Sequence, residues 1–296
     1  MLNALIEPAS ELRPARQFIA LIAEQLPDSG SRRLDAGWIL GLATGQDAAV
    51  HGHEDICLDA DACACLSHLL TRRQQGEPVS RLRGKRSFWS HEFYLNDATL
   101  DPRPDTEVIV SEAFSFASTH LHATQPARIL DLGTGSGCIL LSLLSEMPHA
   151  KGVGIDIAPL AIAQARANAA MLGMATRADF HHISWCDHIE SSLMPRPYYI
   201  ITSNPPYIEK NADLMADVAN YDPAMALYAG ADGLDSYRDL LPRLPTLMAS
   251  HSRAFIEIGA YQSEAVGALA ISAGLSVCDI KTDLVGRDRC LILASE

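Results

Sequence analysis

A regular alternation of strand-forming and helix-forming segments begins near residue 128 and sets the fold class of this chain. The predicted strands lie at 128–132, 153–155, 179–183, 198–203, 254–258, 275–280 and 290–293. The first five alternate with helical patterns, which is typical of a parallel sheet covered by helices on both faces. The last two are predicted to close the sheet as an antiparallel pair. The sequence therefore predicts an α/β fold.

The strand at 198–203 is predicted to end in a rigid turn that offers hydrogen-bond acceptors. The turn consists of Asn204, Pro205, Pro206 and Tyr207. Two prolines fix two φ angles and remove two backbone donors, so the strand must stop there. The side-chain oxygen of Asn204 and the carbonyl of Pro205 then form a pair of acceptors that suits a planar –NH2 group, with Tyr207 as an aromatic wall. Taken alone, the tetrapeptide is equally compatible with a Pro-Pro turn after a core strand.

A glycine-rich turn follows the first strand, and an acidic residue ends the second. These residues are Gly133, Thr134, Gly135, Ser136, Gly137 and Asp156. Glycines let a ligand approach the backbone, and the acid can bind ribose hydroxyls. Dinucleotide-binding proteins share this layout, but the spacing here is GxGxG rather than GxGxxG. Because strands of such sheets end at one edge, the turn, Asp156 and Asn204 are predicted to line one pocket for an adenosyl ligand.

The segments before residue 102 predict two further parts of the molecule. Apolar residues recur at helical spacing within 18–26, 32–44 and 59–73. Residues 1–86 are therefore predicted to form a small helical domain, which carries no catalytic groups and is assigned to substrate docking. Residues 87–101 are predicted to form a β-hairpin linker, and residues 102–296 the catalytic domain. A length of 296 residues also favours more than one domain.

Composition restricts the classes of function. A net charge of −13 and a pI near 5.2 argue against a protein that binds DNA through its phosphates. No apolar run is long enough to span a membrane, so the expected compartment is the cytoplasm. Seven cysteines without repeated CxxC pairs favour reduced thiols over a disulfide framework or a zinc site.

Two local clusters each have two interpretations. The first cluster contains Arg72, Arg73, Arg81, Arg83, Lys85 and Arg86. It is either a solvated helix end and linker or a docking patch for an RNA-associated partner. The second cluster contains His181, His182, Cys186, Asp187 and His188. Its spacing matches no standard zinc pattern, so no metal is predicted.

Residues 131–137 and 204–207 together resemble class I S-adenosylmethionine-dependent methyltransferases that methylate exocyclic or amide nitrogen. Within that class, Pro-Arg-Pro-Asp-Thr-Glu at 102–107 and Gly-Arg-Asp-Arg at 286–289 are similar to the HemK-type (PrmC) peptide chain release factor N5-glutamine methyltransferases. The resemblance implies a Rossmann-like sheet of seven strands and S-adenosylmethionine as cofactor. It also implies methyl transfer to the glutamine of the Gly-Gly-Gln loop of release factors, a modification that belongs to translation termination.

The resemblance also implies roles for individual residues. The cofactor is expected on the glycine-rich turn, Asp156, Trp185 and Asn204, and the catalytic residues are Asn204, Pro205 and Tyr207. The substrate amide is expected on Asn204, Pro205, Pro206 and Tyr207. Three positions depart from the family pattern: Asp101 where an aliphatic residue is usual, Asp222 where Glu is common, and Ser184 where Asp is usual.

Three alternatives stay open at this point. The first is the N5-glutamine methyltransferase of a ribosomal large-subunit protein, which shares Asn-Pro-Pro-Tyr but lacks the Arg-Pro-Asp-Thr-Glu found here at 103–107. The second, an adenine-N6 DNA methyltransferase, is disfavoured by the acidic charge and by the absence of a target-recognition insert. The third is a non-catalytic binding module, and intact Asp131, Asp156 and Asn204 argue against it.

Overall fold

The helices and strands are described here in a computed structural model that covers residues 8, 11–27, 30–121, 127–187 and 197–295. The helices are α1 (Ala15–Gln25), α2 (Arg32–Ala43), α3 (Ala60–Gln74), α4 (Val79–Arg83), α5 (Glu107–His120), α6 (Cys138–Glu146), α7 (Pro159–Met171), α8 (Ala216–Tyr221), α9 (Asp235–Leu240), α10 (Leu244–Leu247) and α11 (Ser263–Ser272). The strands are β1 (Arg13–Pro14), β2 (Asp55–Ile56), β3 (Lys85–Phe88), β4 (His91–Tyr94), β5 (Arg128–Leu132), β6 (Lys151–Asp156), β7 (Ala178–His182), β8 (Tyr198–Ser203), β9 (Met248–Glu257), β10 (Leu275–Thr282) and β11 (Asp288–Ser295).

The chain divides into two compact units. The first contains Met1–Gly84 and Met215–Tyr221, and the second contains Lys85–Leu214 and Asp222–Glu296. The sequence placed the end of the helical domain at residue 86, two residues later. It also assigned the segment that carries α8 to the catalytic domain.

The first unit is built on the amphipathic faces of α1, α2 and α3. Its fully buried side chains include Ile22, Leu40 and Leu70, one from each helix. Asp59 caps α3, since its Oδ1 accepts a hydrogen bond from the Ala62 backbone N–H at 2.8 Å. The two-residue strands β1 and β2 pair antiparallel. They are too short to show any periodicity in the sequence, which is why they were not predicted.

Five of the six basic residues between 72 and 86 have a partner within their own unit. Burying or pairing these groups leaves less of their charge for an external ligand. Their partners are Glu77 for Arg72 (2.7 Å), Asp35 for Arg73 (3.0 Å), the Trp38 ring for Arg83 (3.7 Å), Glu92 for Lys85 (3.0 Å) and Asp101 for Arg86 (3.7 Å). These contacts favour a structural role for the cluster over a docking patch.

The second unit contains a seven-stranded sheet, as predicted, with the order β10-β11-β9-β8-β5-β6-β7 in the described residues. The strands from β9 to β7 are parallel, and β11 runs antiparallel to both of its neighbours, β9 and the edge strand β10. The chain proceeds from β5 to β6 and β7 on one side, and then returns to β8 and β9 on the other. The order therefore reverses between β5 and β8, where ligands of open α/β sheets bind at the carboxyl ends of the strands.

Helices cover both faces of this sheet and explain the apolar strand sequences. Successive residues of β8 enter different cores: Ile200 packs under α5 and α6, and Ile201 packs under α9 and α10. Phe255 and Ile256 of β9 divide in the same way. Since side chains alternate across a strand, a strand buried on both faces needs apolar residues at every position.

The largest discrepancy in strand length concerns β9, which begins at Met248 rather than at the predicted residue 254. Its first part includes His251, Ser252 and Arg253, and His251 has a positive φ of 65°. The register with β8 also shifts at this point. Polar residues and an irregular backbone remove the apolar pattern on which the strand prediction depended.

The composition led us to expect no membrane-spanning segment and reduced cysteines, and the described residues bear on both points. None of the helices in that part of the chain is both long enough and apolar enough to cross a membrane. All seven cysteines fall within it as well, and each is a free thiol.

Candidate active site

A cavity of about 470 Å³ opens at the carboxyl ends of the central strands. This volume lies in the range of small-molecule sites. The predicted site residues that line it are Gly133, Thr134, Gly135, Ser136, Asp156, Trp185, Asn204 and Pro206. Gly137, Pro205 and Tyr207 are not among the lining residues. The strand order thus brings most of the predicted site together although its members span more than seventy residues of sequence.

The glycine-rich turn forms one wall of the cavity because its backbone adopts conformations that side chains disfavour. Gly133 and Gly135 have φ angles of 73° and 55°. A Cβ atom on Gly133 would lie 3.0 Å from the ring of Trp185, whereas one on Gly135 would meet nothing within 4 Å. Gly137 has a φ of 82° and precedes α6. Its role is therefore to start the helix rather than to face the cavity.

A buried carboxylate under the turn holds it to two strands. Asp131 accepts hydrogen bonds from the Thr134 hydroxyl at 2.7 Å and from the Thr202 hydroxyl at 2.8 Å. Burial raises the pKa of Asp131 to about 6, and the two hydroxyls oppose that rise. The backbone N–H of Thr134 also donates to the Ile155 carbonyl at 2.9 Å, so Thr134 stabilises the turn itself.

Asp156 at the end of β6 connects the turn to the next helix. Its Oδ2 accepts from the Gly135 N–H at 2.9 Å, and its Oδ1 accepts from the Ala158 N–H at 2.8 Å. Burial raises the pKa of this carboxyl group, while the backbone hydrogen bonds act in the opposite direction. Each carboxylate oxygen can accept a second hydrogen bond, so Asp156 can still bind hydroxyl groups of a ligand.

Asn168 in α7 supports the turn from below and was not singled out from the sequence. Its Nδ2 donates to the carbonyls of Ser136 at 2.8 Å and Tyr94 at 3.1 Å, and its Oδ1 accepts from the Tyr94 N–H at 3.0 Å. Its side chain is fully buried. The sequence did contain one signal of this role: an asparagine stands on the apolar face of the helix, beside Ala165 and Ala169. A side-chain amide that is buried there needs hydrogen-bond partners.

The orientation of the Asn204 side chain is set by Thr106. The Nδ2 of Asn204 donates to the Thr106 hydroxyl at 3.1 Å. Thr106 is 2% exposed and ends the short turn Pro104–Thr106 that precedes α5. Because the amide nitrogen is engaged, the oxygen of Asn204 is the atom available to a ligand. The segment at 102–107 therefore contributes a specific contact to the site.

Tyr207 directs its hydroxyl toward β9 and donates to Glu257 Oε1 at 3.2 Å. Burial is the main reason that the pKa of Tyr207 is raised, and the nearby Glu257 carboxylate adds to the rise. The phenol therefore stays protonated and acts as a donor. Neither Thr106 nor Glu257 was assigned a role from the sequence, although a glutamate in an apolar strand is a recognisable signal.

The loop after β7 places Ser184 and Trp185 at the cavity. The Ser184 N–H donates to Asp187 Oδ2 at 3.3 Å, and its hydroxyl accepts from the Cys186 N–H at 3.1 Å. This turn also contains Cys186 and Asp187 of the His-Cys-Asp cluster; His181 and His182 lie in β7, and His188 lies outside the described residues. Within the described ranges no group of three or more such side chains is arranged to hold a metal ion.

Two family models match this sequence. Residues 17–84 match the PrmC N-terminal domain, and residues 111–221 match the methyltransferase small domain. The first match falls within the helical unit. The second includes the glycine-rich turn, Asp156 and residues 204–207.

Full-length relatives extend these matches over most of the chain. The release factor glutamine methyltransferase of Rhodospirillum rubrum is 43% identical over 263 residues, which is 88% of this chain and 77% of that protein. The protein of the same name from Bradyrhizobium diazoefficiens is 40% identical over 287 residues, which is 95% of this chain and 93% of the relative.

Solved structures agree with the fold. The hMettl16 catalytic domain, in complex with the MAT2A 3′UTR hairpin 6, aligns with a TM-score of 0.51 at 13% identity. The alignment covers 82% of this chain and 84% of that one. The seven-stranded class I methyltransferase sheet expected from the resemblance is therefore confirmed. With relatives of 40% identity or more over nearly its whole length, the chain belongs to the release factor glutamine methyltransferase family.

Proposed function

We propose that this protein transfers the methyl group of S-adenosylmethionine to the side-chain amide nitrogen (N5) of the glutamine in the Gly-Gly-Gln loop of peptide chain release factors. The observation that carries the proposal is the fixed orientation of Asn204. Its Nδ2 is held by Thr106, so that Oδ1 remains as an acceptor at a cavity that also contains the glycine-rich turn and Asp156. Relatives that carry this activity in their names support the same reaction.

The substrate follows from the geometry of hydrogen-bond donors on a primary amide. A glutamine –NH2 offers two hydrogens in one plane. Asn204 Oδ1 would accept one, and the carbonyl of Pro205, which follows directly, would accept the other. An amide nitrogen is a weak nucleophile because its lone pair is delocalised into the carbonyl. Two accepted hydrogen bonds raise its electron density, and they strengthen as positive charge develops on nitrogen.

The residues of the cavity suit S-adenosylmethionine. The absence of a side chain on Gly135 leaves open space beside the backbone, and Asp156 supplies acceptors for ribose hydroxyls. The Trp185 ring packs over Gly133 and can contact the adenine. When bound, the sulfonium supplies an activated methyl group. The protein's task is to hold the amide nitrogen in line with that methyl, and the product can lose its proton to water.

The role of Asp156 can be tested by its effect on cofactor affinity. We expect Asp156→Ala to weaken S-adenosylmethionine binding about 10- to 150-fold, because a hydrogen bond to a charged group contributes about 1.5–3 kcal/mol. Calorimetric titration measures this directly. Asp179→Ala is a suitable control, since that carboxylate lies on β7 outside the cavity lining and is largely exposed. Equal affinities for the Asp156 variant and the wild type would remove Asp156 from the cofactor site.

We assign the helical segment 1–86 to release factor docking and 102–296 to catalysis, with 87–101 as the hairpin linker. Support comes from the PrmC N-terminal model, which matches residues 17–84. Hydrogen exchange on the intact protein tests the assignment. Peptides from α1 to α4 should exchange more slowly when release factor is added and should be unaffected by cofactor alone. Protection confined to residues after 102 would contradict a docking role.

The reaction itself is tested with methyl-labelled cofactor and three acceptors supplied separately: a release factor, ribosomal large-subunit proteins, and DNA. We expect label on the release factor alone. The acidic charge of −13 is consistent with no direct DNA binding, and release factors act in the cytoplasm, where we place this protein. Label on a ribosomal protein or on adenine in place of the release factor would overturn the proposal.

A further inference from the structure

The turn at 204–207 is restrained from both of its ends. Each proline fixes its own φ angle, and the residue before a proline is confined to extended conformations. Asn204 and Pro205 each precede a proline, so the torsions with most freedom are those of Pro206 ψ and of Tyr207. The position of the Pro205 carbonyl therefore depends on β8 before the turn and on how Tyr207 is held after it.

Gln262, the residue before α11, holds the backbone of Tyr207 through its side-chain amide. Its Nε2 donates to the carbonyl of Tyr207 at 3.0 Å and to that of Gly233 at 3.3 Å. Its Oε1 accepts from the Gly259 N–H at 3.0 Å. Because two carbonyls and one N–H surround the amide, only this orientation of the –NH2 and the oxygen satisfies all three groups.

The backbone around this amide is shaped to admit it closely. A Cβ atom on Gly233 would clash with the Tyr207 carbonyl oxygen and would lie 2.9 Å from Gln262 Nε2. A Cβ atom on Gly259 would lie 2.8 Å from Gln262 Oε1. Gly233 also has a φ of 72°, which glycine adopts readily. Two glycines thus make room for the contact between Gln262 and the turn.

Gln262 also joins two segments at the cavity to the sheet. Residues 208–210 and 227–230 pair through backbone hydrogen bonds of 2.8 to 2.9 Å. Pro206, just before the first segment, and Tyr228, within the second, line the cavity. The Gln262 amide reaches the residue before the first segment, the loop after the second, and the backbone that follows β9. Its removal would free this side of the cavity from the end of β9.

We propose that Gln262 is a positioning residue that holds the Tyr207 carbonyl and thereby keeps the Pro205 carbonyl where it accepts from the substrate –NH2. The inference rests on the proposed function, in which Asn204 and Pro205 accept the two hydrogens of the glutamine amide. Thr106 orients the first of these acceptors, and Gln262 fixes the second. Gln262 is not among the residues that line the cavity, so it acts on the substrate through the turn.

The variant that tests this role is Gln262→Glu, which keeps the shape of the side chain and removes the –NH2. Its carboxylate can still accept from the Gly259 N–H, but it turns an acceptor toward the carbonyls of Tyr207 and Gly233 and repels them. We expect the rate of methyl transfer to fall roughly 10- to 100-fold, because a displacement of about 1 Å near the reacting atoms has an effect of this size. The affinity for S-adenosylmethionine, measured by titration, should be unchanged.

Single-turnover methylation at saturating cofactor, with the enzyme in excess over a release factor and varied in concentration, separates positioning from folding. A loss of folded molecules or of affinity shifts the enzyme concentration that gives half of the limiting rate. A positioning defect lowers the limiting rate itself. Ala265→Glu adds the same charge at an exposed position of α11 and should keep the wild-type limiting rate. A wild-type limiting rate in Gln262→Glu would overturn the inference.

Gly233→Ala displaces the same Tyr207 carbonyl while Gln262 stays intact, and it decides the question if Gln262→Glu yields too little folded protein. Its limiting rate should fall as well. Gly274→Ala is its control, because that glycine has a similar φ of 77° but a Cβ there would meet nothing within 4 Å. Equal limiting rates for these two alanine variants would contradict the role of the Tyr207 carbonyl. A wild-type protein that methylates no release factor would instead refute the proposed function.

Discussion

Replacing Asn204 with alanine is expected to lower the rate of methyl transfer by roughly 10²–10³, or about 2.7–4 kcal/mol, by analogy with the loss of one oxyanion-hole donor. The substitution deletes an acceptor whose hydrogen bond strengthens as charge develops on the amide nitrogen. Cofactor affinity should change far less, because the glycine-rich turn and Asp156 stay in place. Single-turnover methylation with saturating cofactor separates the two effects. A rate close to that of the wild type would mean that the acceptor pair does not drive catalysis.

Asn204→Asp is the matched variant for Asn204→Ala. It keeps a side-chain acceptor at position 204 but replaces the amide –NH2 that donates to Thr106 with a second carboxylate oxygen. If acceptance alone matters, the aspartate should be less damaging than the alanine. The aspartate does lose the donor that holds Asn204 to Thr106 at 3.1 Å. To contact the new carboxylate, the Thr106 hydroxyl would have to donate rather than accept. A rate between those of the wild type and the alanine variant is therefore expected.

The second large effect is expected on stability, from Asn168→Ala. The side chain of Asn168 satisfies the carbonyls of Ser136 and Tyr94 and the Tyr94 N–H. Each buried polar group left without a partner costs about 1–3 kcal/mol, so the free energy of unfolding should fall by about 3 kcal/mol or more. Urea denaturation measures the loss. The same variant should bind cofactor more weakly, because Ser136 belongs to the glycine-rich turn.

Gln164→Ala serves as the control for Asn168→Ala. Gln164 lies one turn earlier on α7, and its Nε2 reaches Asn168 Oδ1 at 3.4 Å. Its removal leaves the contacts of Asn168 with Ser136 and Tyr94 in place, so the change in stability should stay within about 0.5 kcal/mol. Similar losses for the two variants would show that the amide network of Asn168 has no special role in holding the turn.

The sheet was predictable because its signals are local. The run Arg128–Leu132 carries three aliphatic residues and is followed at once by a glycine-rich turn, and β5 has these same bounds in the structure. The order of the strands is not local information. Nothing in the residues themselves states that β8 lies beside β5, and the prediction depended on the general behaviour of α/β sheets. Strand β9 was predicted too short because His251 and Arg253 interrupt the apolar pattern.

The site was predictable where function requires unusual residues and was missed where it requires ordinary ones. Glycines at positive φ and a proline pair are uncommon enough to be recognised in a sequence. Thr106, Asn168 and Glu257 form hydrogen bonds to partners 32 to 98 residues away in the chain, and only the folded structure reveals those partners. A buried polar residue in an apolar segment marks such positions, but it does not identify the partner.

The central claim is that the site selects the –NH2 of a glutamine side chain, and fragment-ion mass spectrometry of an intact release factor tests it most directly. After incubation with the protein and S-adenosylmethionine, the release factor should gain one methyl group, located on the side chain of the glutamine in Gly-Gly-Gln. A release factor in which that glutamine is replaced by glutamate has no –NH2 at this position and should gain none. Methylation of the glutamate variant, or a methyl group on any residue other than that glutamine, would contradict the account.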